Sequence, residues 1–294
     1  VSTPLLDFVT AQRDAIAMTE PGVRAGDPDA VHDMRVAARR LRATLRAFRP
    51  LFDRARTEPL RVELRWLGRL LGAARDGDVL AERLAEAVSA EPPGLVVGPV
   101  AARVRQRLAD DATRARAELI AGLDGERFAA LRDSVDRLAA GEFGPYDERP
   151  RRLRRRVRSA LRRADRRLDA AAKAPSDPLP GAAGRDDRLH EARKAYKQAR
   201  YAVEAVAPQA GKPARRLVKR LKSLQDLLGD HQDTIVTRHL LRDHGMRAFA
   251  DGENAFTYGV LHARQQAAGE RTLAGLARVV RRARKGGVRR WLAR

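Results

Sequence analysis

The chain has 294 residues and a formal net charge of +22, and 53 of its 60 basic residues are arginine. It has no cysteine, which excludes disulfides, thiolate metal sites and cysteine nucleophiles, and no apolar run reaches membrane-spanning length. That charge suits a polyanion such as nucleic acid, polyphosphate or an anionic membrane surface, and the guanidinium fork grips phosphate oxygens in pairs where an ammonium is a point charge.

Residues 4–20 predict an opening helix stopped at Pro21-Gly22. Asp27-Pro28-Asp29 starts a second helix that ends near Pro50. A third runs from Glu58 to Ala74, with Arg61, Arg65 and Arg69 at i,i+4 spacing, and Gly72 marks a close helix crossing or a helix end. Asp76 or Asp78 caps a helix to Ala90, and helices follow over 99–122 and 125–140. The segment 141–150 (GEFGPYDERP) is the expected boundary between two units. Arg151–Leu168 carries ten arginines, yet keeps the apolar stripe Leu153, Val157, Leu161, Ala164 and Leu168 of a packed helix. A flexible loop over 174–186 leads to helices at 187–207, 213–228, 231–244, 253–268 and 271–284. No segment has the period-2 pattern of a strand.

The stretch 32–49 (HDMRVAARRLRATLRAFR) organises this series. On a helix, Met34, Ala37, Ala38, Leu41, Leu45 and Phe48 form an apolar stripe, and His32, Arg35, Arg39, Arg42 and Arg46 form a basic ladder beside it. The ladder spans roughly 21 Å. Stacked like charges repel, so a polyanion is the expected reason for them. The pattern recurs at 190–200 (HEARKAYKQAR), where Arg193, Lys197 and Arg200 follow His190 at the same spacings; Glu204 departs from the Arg46 position. The segment 70–76 (LLGAARD) likewise matches 227–233 (LLGDHQD), at an offset of 157 residues against 158 for the ladders. Two matches at a nearly constant offset point to an internal duplication.

Ordered and repeated, these motifs resemble the CHAD family, the conserved histidine α-helical domain. The resemblance implies an all-α fold of two helical bundles related by a pseudo-twofold, here 1–142 and 146–294, with a basic surface that binds inorganic polyphosphate. The paired Glu-x-Glu carboxylates of the triphosphate tunnel enzymes that accompany the family are missing from this sequence.

Phosphoryl chemistry needs metals held by acids near the phosphates. The ladders are nearly all cationic, and no phosphate-binding glycine loop or serine elbow is present. The expectation is therefore binding without catalysis, with no metal and no cofactor. Asp230-His231-Gln232-Asp233 could suggest a metal, but Ala73 and Ala74 replace two of these residues in the other copy. Asp76 and Asp233 are expected to cap helices or to orient Arg or His in the basic site. His32 and His190 are either structural or donate a neutral imidazole N–H to phosphate. Nucleic acid is the alternative ligand, although aromatic residues are only 4% of the chain and stacking platforms usually serve single strands. Phe48, Trp66, Tyr196, Phe249 and Phe256 are expected mostly in the core. The expected polyphosphate site comprises His32, Arg35, Arg39, Arg42, Arg46 and Arg65 with His190, Arg193, Lys197, Arg200, Lys219 and Lys222. The expected role is targeting or scaffolding at polyphosphate granules in the cytoplasm, without membrane insertion. Because its first residue is Val, the chain is expected to be part of a longer protein.

Overall fold

The computed structural model describes residues 3–175 and 183–293, without the side chains of Asp76, Asp78 and Val79. It is all-α, and among the described residues the one β-type pairing is an isolated bridge between Glu142 and Gly144. The first half builds α1 (Pro4–Ala25), α2 (Pro28–Ala47), α3 (Arg54–Ser89), α4 (Val100–Asp124) and α5 (Glu126–Ala139). The second builds α6 (Pro150–Ala172), α7 (Arg185–Ala250), α8 (Phe256–Ala274), α9 (Leu276–Arg284) and the short α10 (Gly286–Arg289).

Three expected breaks are absent. α1 continues through Pro21 and closes at Gly26, whose left-handed backbone (φ 81°) suits glycine. α3 is one helix of 36 residues that runs straight past Gly72 and Asp76. The Ala73-Ala74-Arg75 run favours helix, and buried leucines continue along the helix from Leu60 to Leu84. In α7 the expected gap at 229–230 is also helical. The one break in α7 is Gly211 (φ 65°, ψ −149°), between Pro208 and Pro213. There the chain doubles back: Arg200 Nε donates to Gln225 Oε1 at 2.9 Å, and His231 Nε2 lies 3.0 Å from Asp186 Oδ1. The arms 185–210 and 212–250 are thus an antiparallel hairpin. α2 and α3 form the same kind of hairpin around the short turn Arg49–Leu51.

The N-caps of both helices in the first hairpin are aspartates. Asp27 accepts from the Asp29 N–H at 2.9 Å, and Asp53 from the Ala55 N–H at 2.8 Å. The segment between the halves is docked on this hairpin: Asp53 N–H donates to the Phe143 carbonyl at 2.9 Å and Tyr146 N–H to the Leu51 carbonyl at 2.8 Å. The main core runs from Leu5 to Leu292 and includes the apolar stripes of α2, α6 and α7. A second cluster joins Leu84 and Val88 of α3 and Val104 of α4 to Leu241 of α7 and Leu261 of α8. Phe48 and Tyr196 are buried and Trp66 is partly so, but Phe249 and Phe256 are 72% and 50% exposed, which corrects their expected core placement. Both lie where α7 ends and α8 begins, past the hairpins that form the main core. The loop expected over 174–186 falls largely outside the described residues, and α7 already begins at Arg185.

Candidate anion-binding groove

Burial of Met34, Ala37, Ala38, Leu41 and Leu45 fixes the rotation of α2. The same rotation turns Arg35, Arg39, Arg42 and Arg46 into a cavity of about 450 Å³. α3 supplies a second wall with Arg61, Arg65 and Arg69, and the first arm of α7 a third with His190, Arg193, Lys194 and Lys197. Eight arginines and two lysines therefore line one groove, and no Asp or Glu does so among the described residues.

Such a concentration of charge needs a scaffold that holds α2 against α7. Arg39 Nε donates to Tyr201 Oη at 2.9 Å, and the Tyr201 ring packs between the guanidiniums of Arg39 (5.9 Å) and Arg200 (4.6 Å). Glu204 pairs with Arg40 across the helix crossing at 3.3 Å and with Arg200 on its own helix. Its departure from the arginine pattern thus provides the carboxylate that ties the two helices. The glycines of the two LLG motifs have one job each. A Cβ on Gly72 would stand 3.3 Å from the Arg35 guanidinium, and one on Gly229 would stand 3.4 Å from that of Arg193. Of the two readings of Gly72, close approach holds: glycine lets an arginine of the facing helix lie against the backbone.

Burial is the main force that depresses the pKa values of Arg39, Arg42 and Arg46, and neighbouring arginines add to it. Lys197 is lowered to about 6, first by burial and then by Arg39, Arg193, Arg35 and Arg200. Burial also lowers His32, with Arg75 and Arg39 adding to it. For His190 the causes are burial and Lys194, against a raising contact from Gln232. Both imidazoles are thus neutral at neutral pH and offer an N–H donor. In the groove, burial and crowding by like charge act together on Arg39, Arg42, Arg46 and Lys197, and a bound anion would relieve the crowding.

Residues 7–242 match the family model of the CHAD domain. The chain belongs to the CHAD domain family. Two proteins of Mycobacterium tuberculosis, "Uncharacterized protein MT2285" from strain CDC 1551 / Oshkosh and "Uncharacterized protein Rv2226" from strain ATCC 25618 / H37Rv, are each 35% identical over 273 residues. The match covers 91% of this chain and 50% of each relative, so the chain spans about half the length of these curated relatives. Among solved structures, PptA from Streptomyces chartreusis superposes with a TM-score of 0.76 at 25% identity, covering 95% of this chain and 98% of that one. The CHAD domain from the plant Ricinus communis superposes with a TM-score of 0.57 at 23% identity, covering 99% and 90%, which shows a shared fold.

Within this CHAD fold the groove gathers Arg35, Arg39, Arg42, Arg46, Arg65, His190, Arg193 and Lys197 of the residues expected from sequence. The other four lie outside its lining. His32 is exposed near the start of α2, beside Arg75. Arg200 sits behind Tyr201, its side chain only 12% exposed and held by Gln225 and Glu204. Lys219 and Lys222 are exposed on the second arm of α7, and Lys222 pairs with Asp226 at 3.2 Å. Repeat logic gave that arm the part that α3 plays, but the cavity opens toward α3. Arg61, Arg69, Lys194, Gln198 and Tyr201 join the lining without having been expected there. The i,i+4 series of Arg61, Arg65 and Arg69 was the signal for the first two. Nothing in the sequence marked Tyr201, because Ala43 stands at its register position in the first ladder.

Of the expected aspartates, Asp233 caps no helix and pairs with Arg83 at 2.6 Å, an arginine outside the groove lining, so it does not orient a residue of the basic site as expected. The side chain of Asp76 lies outside the described residues. His231 is held by Asp186, and among the described residues no group of three or more His, Cys, Asp or Glu is placed to hold a metal.

Proposed function

We propose that this CHAD protein binds inorganic polyphosphate without catalysis, along the groove between α2, α3 and the first arm of α7. The observation that carries this reading is a groove lined by eight arginines and two lysines, with no carboxylate among the described residues that line it. Phosphate oxygens accept the guanidinium donors in pairs, and a linear chain of phosphates can satisfy several arginines at once. Phosphoryl transfer would require carboxylates to hold metal ions near the phosphates, and the lining offers none. The cellular role proposed is targeting or scaffolding at polyphosphate granules. No helix among the described residues is long and apolar enough to cross a membrane.

Nucleic acid shares the phosphate chemistry, so the test is selectivity. Among the described residues that line the groove, Tyr201 is the one Phe, Tyr or Trp, and it is 1% exposed, so it offers no face for a base. In a competition titration at fixed salt, long-chain polyphosphate should displace single- and double-stranded DNA at equal phosphate concentration. Displacement in the opposite direction at physiological salt would replace this reading with nucleic-acid binding. Salt itself does not discriminate, because any polyanion releases counterions on binding.

A further inference from the structure

Six of the seven lysines are exposed, and Lys197 is the exception, half-buried in the groove wall. Arg35 and Arg39 from α2 and Arg193 and Arg200 from its own helix crowd its amine. Arg65 and Arg69 of α3 face the same cavity, as does the neutral ring of His190. Lys194 and Lys222 each have a carboxylate partner, but no ion pair or hydrogen bond ties the Lys197 amine to another described residue.

With its pKa at about 6, this amine carries a free lone pair at neutral pH. An ordinary lysine does so in roughly one molecule per thousand at about pH 7.5. Neutral, desolvated lysines are nucleophiles. The arginines around this one can pair with the oxygens of a phosphorylated anion, so nucleophile and anchor face the same cavity.

We propose that Lys197 is an acylation site for small acyl phosphates, anchored through their phosphate group by Arg39, Arg193 and the neighbouring guanidiniums. The amine lone pair attacks the acyl carbon and a C–N bond forms. The C–O bond to phosphate breaks, and inorganic phosphate leaves with the electron pair. The proton lost from nitrogen passes to that phosphate or to water. The amide product stays neutral, so the modified side chain cannot take up the proton that a bound polyanion would favour, and acylation weakens the groove for polyanions. This chemistry requires the groove's cations but does not require polyphosphate to be the natural ligand.

The test is a time course of the full chain with acetyl phosphate at about pH 7.5, read by peptide mass spectrometry. Lys197 should be acetylated about tenfold faster than any of the six exposed lysines. Its rate should rise through about pH 6 and then level off, and tripolyphosphate should slow it. With 4-nitrophenyl acetate, which brings no phosphate, the preference for Lys197 should shrink. Labelling of Lys197 no faster than that of the exposed lysines overturns the proposal, whatever a parallel polyphosphate titration shows. Preferential labelling in a protein that fails to bind polyphosphate supports the proposal and removes the polyphosphate reading alone.

Discussion

Arg39 and Lys197 hold the same place in two ladders of the same register, one on α2 and one on the first arm of α7, and their surroundings differ. Arg39 donates to Tyr201 and stacks on its ring, whereas Lys197 has no partner among the described residues and is pushed toward its neutral form. Seven positions further along the contrast repeats: Arg46 opens into the groove, while Glu204 ties α7 to α2 through Arg40. The α2 ladder therefore mostly lines the groove. The α7 ladder gives Tyr201, Arg200 and Glu204 to the joint that holds two basic helices side by side, and keeps His190, Arg193 and Lys197 for the groove. A motif repeated in sequence need not be repeated in use, because two like-charged helices brought together need a neutralising contact somewhere.

The largest expected effect comes from the open side of this comparison. Arg42→Ala with Arg46→Ala should weaken long-chain polyphosphate binding by about a hundredfold or more, as two charge-assisted hydrogen bonds are worth roughly 3 kcal/mol together at the least. Helix content should be unchanged, since neither residue has a partner in the joint. Calorimetry on the double variant, with circular dichroism as the folding control, measures this.

The glycines come next. Gly72→Val and Gly229→Val should each move one arginine off the backbone it lies against and weaken binding several-fold. An effect of Gly72→Val alone, read by the same titration, would mean that the two hairpins hold their arginines differently.

The sequence made much of this legible. Helical periodicity placed the buried faces of α2, α6 and α7, and the ladder register put Arg35, Arg39, Arg42 and Arg46 on one side. It failed where the outcome depended on what lay across the gap. Gly72 carries the same letter whether it ends a helix or receives Arg35, and only the facing helix decides. Lys219 and Lys222 were assigned by analogy with α3, but analogy does not say toward which hairpin the cavity opens. The exposed Phe249 and Phe256 were invisible for a related reason: an apolar residue reads as core unless the packing around it is known.

Lys197 gives a pH-dependent sharpening of the comparison. Its folded pKa is depressed below the unfolded value, so the unfolded chain binds more protons between about pH 6 and the ordinary lysine range. Stability should therefore rise with pH across that window. Lys197→Met should raise the melting temperature by a few degrees at about pH 7, and the gain should shrink as the pH approaches 10. Polyanion binding should take up a proton at neutral pH, visible as a dependence of the binding enthalpy on the ionisation enthalpy of the buffer. A gain from Lys197→Met that persists unchanged at high pH would mean that the amine is not held neutral. The smallest effect expected is from Lys219→Ala with Lys222→Ala, which should change long-chain affinity by no more than about twofold, as for exposed charges in high dielectric.

The central claim is that both ladders serve one groove. Linking two weak half-sites on one chain raises affinity through effective concentration, so damage to either wall should be felt by the whole. The direct measurement is the stoichiometry and affinity of long-chain polyphosphate binding, by calorimetry, for the unaltered chain and for two variants: Arg42→Ala with Arg46→Ala, and Arg193→Ala with Lys197→Ala. One shared groove predicts that each variant loses affinity while the number of chains bound per phosphate length stays the same. If each variant instead loses half the binding capacity and keeps its remaining affinity, the two ladders are independent sites and the shared groove is wrong.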